Sequence, residues 1–481
     1  MKKRLIWVEL IVFIILLAIG INRFYDAVRY KDTGSGGGTD NFYSINVPID
    51  VIVFGSSHAA CTVNNGLLWN EAGIASYTLT AGAQKGDGTA FFVKEAIAKN
   101  KPKVALIETY LLGDVSYEEG SFYRTALTSR FSGRYVDYVT GVVKRNGLGR
   151  EMLEGMLLRL PMVHSRYKEL TKADFELDNS YILGYQGSHD CEAFEAPELI
   201  GEGGGSESDV LSVDAAGNIE EIIKVCRENG VEPVFFSAPY VATTEQQRTQ
   251  NAIQLHIEAL GGTYIDYLQE YASCGIDFSS DFRDYEHLND FGAEKITKAL
   301  LTFLQERYEL PDRRGQNGYD KWEDYARYLS NRQLEYRLKS CADITEYMNL
   351  VSEVKGDYTV IVSLNGNYRA LGDELFEGFL GDFGVDHAGF ENGGAWIFSE
   401  GNSSFSSNGT AEFTGYAEIG GADVNLFKAE ADEFAHILVD GLDYSPSANG
   451  ISITLFDQRL GYVIDSAYAD IYEGLDVQRT E

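Results

Sequence analysis

Between residues 51 and 107 short apolar runs take turns with segments of helical period, and this alternation limits the fold more than any other feature of the chain. Val51-Ile52-Val53-Phe54 has no polar break, the pattern of a strand buried on both faces. Residues 64–72 then read as a helix and 76–79 as a short strand. Residues 89–99 carry Phe91, Val93, Ala96 and Ile97 at helical spacing, and 104–107 read as a third strand. Strand, helix, strand, helix, strand calls for a parallel sheet covered by helices. The pattern loosens over residues 110–209, an aromatic and basic, partly helical insertion that ends in a Gly-rich acidic loop. It resumes with helices at 215–229, 243–260 and 291–307 and strands at 233–237 and 263–268. Residues 46–309 are therefore expected to form one α/β domain.

The first apolar run stops at Gly55, and Ser56, Ser57 and His58 follow at once. A buried strand ending in a tight turn can present a hydroxyl, and Ser57 is the candidate nucleophile; an ordinary strand-ending turn reads the same way. A serine needs a base to take its proton, and the base needs an orienting carboxylate. Of the seven histidines, His287 has the fitting surroundings. It stands three residues after Asp284 and just before the last helix of the domain. Asp284 can bond one ring nitrogen while the other faces the serine. The competing reading makes Asp284 a helix cap and His287 a first-turn residue.

The 481 residues carry a formal net charge of -33, which argues against nucleic acid as a partner. Five scattered cysteines without a Cys-x-x-Cys pair indicate neither a zinc site nor a disulfide framework. His189-Asp190-Cys191 reads as a solvated loop, and no metal or cofactor is expected. Residues 5–21 are an almost unbroken apolar run behind the basic flank Lys2-Lys3-Arg4. That is about the minimum length for a membrane-spanning helix, with the basic flank in the cytoplasm and the rest outside. Ala18-Ile19-Gly20 also offers a small-x-small signal-peptide cleavage site, and the absence of a polar region before it favours an uncleaved anchor. The expected organisation is an anchor at 1–22, a flexible Gly-rich linker at 23–45, the α/β domain at 46–309, a polar break and helical connector at 310–340, and an α+β domain at 341–481. The last has a clear strand at 358–364, a helix at 369–383 and a closing hairpin at 450–465.

The serine at the first strand's end, a glycine after the second strand and the late Asp284-x-x-His287 followed by Leu288-Asn289-Asp290-Phe291-Gly292-Ala293 resemble the SGNH/GDSL hydrolase superfamily. The resemblance is closest to its membrane-anchored members that handle cell-surface polymers. It implies a flavodoxin-like three-layer domain, serine esterase or O-acyl (acetyl) transferase chemistry on a surface polysaccharide, and an oxyanion hole built from the Ser57 amide, Gly82 and an asparagine. Thr109 and Tyr110 stand where that asparagine is expected. Gln84 and Tyr110 are the candidate substitutes, and His58 a substrate-side group. Residues 341–481 are similar to the interleukin-like EMT inducer domain, a lectin-like sandwich, in permuted order. Together these resemblances imply an acylated glycan as substrate and a membrane-bound O-acyltransferase as a possible partner. A non-catalytic glycan-binding protein that keeps the fold is the alternative, and a core role is expected for Trp396.

Overall fold

A computed structural model describes residues 2–30, 39–171, 174–175, 183–201, 211–366, 373–384, 393–399, 402–408, 412–430, 432, 434–446, 450–470 and 474–479. Most of the Gly-rich patch, the acidic loop after residue 201 and the start of the helix expected at 369 lie outside them. The chain divides into two compact units, Met1–Ala326 and Arg327–Glu481.

The first unit begins with helix α1 (Lys2–Val28) and a short α2 (Thr39–Ser44). Residues 9–28 form the one stretch among the described residues long and apolar enough to cross a membrane. Both ends of the expected flexible linker are structured. Val28 is buried, Arg166 donates to the carbonyls of Val28 and Arg29 at 2.8 and 2.6 Å, and Phe42 of α2 is buried. The first helix continues five positions past Arg23, and α2 buries Thr39, Asn41 and Phe42, so these ends do not behave as linker.

The α/β body follows as β1 (Val51–Gly55), α3 (Ser57–Thr62), α4 (Asn65–Ala72), β2 (Ser76–Thr80), α5 (Gly86–Lys99) and β3 (Val104–Glu108). The insertion supplies α6 (Glu119–Thr128), α7 (Gly133–Arg145), α8 (Gly149–Leu158) and α9 (Leu160–Val163). Then come α10 (Val213–Glu228), β4 (Glu232–Ser237), α11 (Thr244–Ala259), β5 (Thr263–Asp266), α12 (Asp290–Arg307) and α13 (Asp320–Ser340), inside which the unit boundary falls. All five strands are parallel, in the order β2-β1-β3-β4-β5. Alternate strand residues face opposite ways. Val51, Val53, Val104, Leu106, Val234 and Phe236 share a core with residues of α3, α4 and α12, while α5 and α10 pack against the sheet and each other. Burial on both faces is why these strands read as unbroken apolar runs. The 2-1-3-4-5 order reverses direction between β1 and β3, and ligands of doubly wound sheets bind at the carboxyl ends beside such a switch.

The second unit holds the end of α13, α14 (Ile344–Val354), β6 (Thr359–Asn365), α15 (Asp373–Asp382) and nine more strands. These are β7 (Gly394–Ser399), β8 (Asn402–Asn408), β9 (Phe413–Ile419), β10 (Ala422–Lys428), β11 (His436–Val439), β12 (Leu442–Asp443), β13 (Gly450–Asp457), β14 (Tyr462–Asp470) and β15 (Gln478–Arg479). They form a six-stranded sheet, β15-β14-β13-β6-β7-β8, and a four-stranded one, β12-β11-β10-β9. Val360, Val362, Trp396 and Ile453 share a core with α14 and α15. Ile361, Ala395 and Ile397 face Val424, Leu426 and Ile437 of the smaller sheet. Trp396 is fully buried, a core residue.

Candidate active site

The turn after β1 is built on a backbone that only glycine tolerates comfortably. Gly55 has φ +145°, and a Cβ there would sit 3.0 Å from the Cβ atoms of both Ala59 and Glu108. Ser56 then caps α3, its hydroxyl accepting the His58 amide at 3.3 Å. Ser57 becomes the first residue of the helix, so its amide has no acceptor within the helix. The two serines thus separate by role: Ser56 is spent on the cap, and Ser57 is partly exposed at the carboxyl end of β1.

A pinched loop brings the histidine to that serine. Phe282 and Leu288 pair as an antiparallel bridge, Arg283 donates its amide to the His287 carbonyl at 3.0 Å, and Asn289 donates to the Asp281 carbonyl at 3.0 Å. Inside the pinch, Asp284 Oδ1 accepts the amides of Glu286 and His287, both at 2.9 Å, so its carboxylate is oriented by its own turn rather than by a helix end. His287 Nδ1 lies 2.9 Å from Asp284 Oδ1 and 3.0 Å from Oδ2, and His287 Nε2 lies 2.8 Å from Ser57 Oγ. The helix that follows is capped by Asn289, whose Oδ1 accepts the amides of Phe291 and Gly292. Burial pushes the Asp284 carboxyl up, but the Glu286 amide and His287 outweigh it and hold the pKa below the usual aspartate value. Asp284 is thus an anion facing the imidazole.

The remaining expected residues are engaged elsewhere. Gly82 lies two residues beyond Thr80, which pairs with Gly55, so the turns after β1 and β2 are neighbours; the Gly82 carbonyl accepts from Arg124 Nε at 2.8 Å. Gln84 is buried, and its Nε2 donates to Thr89 at 3.0 Å. Tyr110 Oη donates to Glu286 at 2.8 Å. Both side-chain donors considered as substitutes for the asparagine therefore have other acceptors. His58 is not presented to solvent: its ring stacks on Tyr110 at 3.6 Å, meets Tyr240 edge-on at 5.3 Å and lies 5.1 Å from the His287 ring. Burial pushes its pKa well below the ordinary histidine value, and the nearby His287 and Arg283 add to that, so it is neutral.

Two groups here escaped the sequence reading. Glu108 ends β3, is fully buried, and accepts the Tyr110 amide at 2.9 Å. Burial raises its pKa to about 8, against the lowering effect of the Tyr110, Ala238 and Thr109 amides, so it carries its proton in neutral solution. Glu286 lies inside the recognised loop but looked like a spacer. A carboxylate closing a strand of otherwise apolar residues was the available signal for Glu108. The segment His189-Asp190-Cys191 is mixed: Asp190 and Cys191 are exposed, while His189 packs edge-on against Phe291 and lies 3.5 Å from Asp290, because residues 185–188 are tied to α3 and α12.

No protein-family model matches the sequence, and no curated protein matches it. Among the solved structures that match is one from Bacteroides fragilis NCTC 9343, provisionally assigned as an acylhydrolase, at 10% identity. The match covers 56% of this chain and 94% of that one with a TM-score of 0.28, an overlap too low to carry any inference.

Proposed function

We propose that the first unit is a serine esterase or O-acyltransferase of SGNH/GDSL type, with Ser57 as nucleophile, His287 as general base and acid, and Asp284 as the group that orients and charge-stabilises the imidazole. The observation that carries this reading is the unbroken line from Ser57 Oγ to His287 Nε2 at 2.8 Å and from His287 Nδ1 to Asp284 at 2.9 Å. Ser57 Oγ would attack an ester carbonyl as its proton passes to Nε2. The tetrahedral oxyanion would be held by the amides of Ser57 and Gly82. On collapse Nε2 returns the proton to the departing alcohol, leaving an acyl-serine. Water or a sugar hydroxyl then takes the acyl group by the same steps in reverse, which makes hydrolysis and transfer variants of one cycle.

The apolar α1 and its basic flank support an anchored protein whose bulk lies outside the cytoplasm. The two-sheet second unit fits a lectin-like module of the interleukin-like EMT inducer kind. Both favour an acylated surface polysaccharide as substrate, with a membrane-bound O-acyltransferase as the proposed partner.

Non-catalytic glycan binding is favoured by one observation: the Gln84 amide and the Tyr110 hydroxyl are already donating to Thr89 and Glu286. A missing oxyanion donor typically costs about 2.7–4 kcal/mol in the transition state. Full-length protein in detergent should hydrolyse an aryl acetate and be labelled at one serine by a fluorophosphonate. Ser57→Ala should lower turnover by about a thousandfold or more and abolish labelling. Equal rates for the two proteins, with no labelling of either, would sink the esterase reading in favour of binding.

A further inference from the structure

Beside the Ser57–His287 pair lies a second group of ligating atoms that serine chemistry leaves unused. One ligating atom each from His58, Glu286 and His287 lie within 4.8 Å of one another. His58 is 1% exposed, and its Nε2 is buried without a hydrogen-bond partner. A buried polar atom left unpaired costs about 1–3 kcal/mol, a deficit that a bound cation removes. The ring cannot turn away to find another partner, because Tyr110 covers one face and Tyr240 meets it edge-on. Glu286 uses Oε1 to accept from Tyr110, and a carboxylate keeps further lone pairs for a metal. His287 already has Asp284 on Nδ1, the carboxylate arrangement that metal-ligating histidines commonly carry on their far nitrogen.

We propose that His58, Glu286 and His287 form an inhibitory site for Zn2+ or a cation of similar preference, which binds His287 at Nε2 and so takes the base away from Ser57. Two imidazoles and one carboxylate suit zinc far better than calcium or magnesium, which prefer all-oxygen sites. Tetrahedral zinc holds its ligand atoms about 3.4 Å apart, so each pair has to close by about 1.4 Å at most. Ser57 Oγ, 2.8 Å from Nε2, or a water completes the four ligands. Only the inhibitory consequence rests on the esterase reading; the binding does not.

The two are separated by measuring binding in a protein with no serine chemistry. Metal-free, full-length Ser57→Ala protein is titrated with Zn2+ by calorimetry and with Co2+ by visible absorption. One equivalent should bind, with the intense cobalt bands of four-coordination. His58→Ala and, separately, Glu286→Gln on that background should each weaken zinc by at least about tenfold with unchanged circular dichroism. Zinc affinity indifferent to both substitutions, or the lack of stoichiometric binding, overturns the site. In wild-type protein, Zn2+ should slow fluorophosphonate labelling of Ser57 and a chelator should restore it. Stoichiometric binding that leaves labelling untouched overturns the inhibitory role, whereas an absence of labelling in metal-free protein counts against the esterase reading alone.

Discussion

Glu108 shows how one buried residue ties the site to pH. Its Cβ abuts Gly55, so the carboxyl sits under the turn that presents Ser57. The folded protein holds its proton up to about pH 8, while in the unfolded chain it ionises near the ordinary glutamate value of 4.5. Between those values the unfolded chain has released a proton that the folded chain keeps, so rising pH favours unfolding. Each pH unit inside that window removes up to about 1.4 kcal/mol, and the loss is complete above the folded value. Glu108→Gln keeps the shape and removes the titration. Urea midpoints measured at about pH 5 and about pH 8 should fall less for the variant than for wild type, and at the higher pH the variant should be the more stable. A parallel fall in both would mean that Glu108 ionises normally in the fold. The contrast with Ser57, Asp284 and His287 explains what could be read in advance. Asp284 and His287 are three residues apart and reveal themselves together, and a serine at a strand end is conspicuous. Glu108, His58 and Glu286 all contact Tyr110 only because β1, β3 and the 282–288 loop converge, and no spacing in the chain records that.

At the scale of elements, the loop before α12 is where local sequence matters most. Asn289 is buried and its side chain makes four hydrogen bonds: Oδ1 caps α12 through Phe291 and Gly292, and Nδ2 donates to the carbonyls of Ser280 at 2.7 Å and Asp190 at 3.3 Å. Asn289→Ala removes an N-cap worth about 1 kcal/mol and two further hydrogen bonds worth about 0.5–1.5 kcal/mol each, for a total loss of about 2–4 kcal/mol. The urea midpoint should drop accordingly. Because Asn289 is two residues from His287, labelling of Ser57 should slow as well; an unchanged labelling rate would show that the Phe282–Leu288 bridge holds the histidine by itself. Strands and long helices of this unit were legible because both sheet faces are covered and the strands are therefore apolar throughout. Helix α3 was not, since six residues, Ser-His-Ala-Ala-Cys-Thr, are too few to show a period and look like the continuation of a turn. The structured ends of the stretch expected as a linker at 23–45 were hidden for a different reason. Its glycines advertise flexibility, while the contacts that bury Val28 and Phe42 come from partners far along the chain.

For the whole molecule, the question is which stretch stands alone as the second unit. By composition, residues 310–340 look like a connector, charged and helical, with a domain starting near 341. The second half of α13 nevertheless supplies part of that unit's interior. Leu334 and Leu338 belong to its core. Asp457 is fully buried and is met by Arg327 Nε at 2.6 Å and Asn331 Nδ2 at 2.7 Å, while Tyr358 donates to Asn331 at 2.8 Å. Burial pushes the Asp457 carboxyl up, but Asn331, the Leu460 amide and Arg327 outweigh it and hold its pKa below the usual aspartate value. Removing those partners leaves an uncompensated buried charge, at about 3–5 kcal/mol, and each absent leucine adds about 2–5 kcal/mol. That sum approaches the whole stability of a typical domain, about 5–15 kcal/mol. A fragment of residues 320–481 should therefore express in soluble form and unfold in one cooperative step. A fragment of residues 341–481 should aggregate or show no cooperative transition. Equal urea midpoints for the two would show that α13 contributes nothing to this unit. The same measurement bears on acid: Asp457 has a depressed folded pKa, so its stabilisation is present above the ordinary aspartate range and drains away as pH falls through it. The longer fragment should accordingly lose stability on acidification, and Asp457→Asn should flatten that loss while lowering the midpoint at neutral pH.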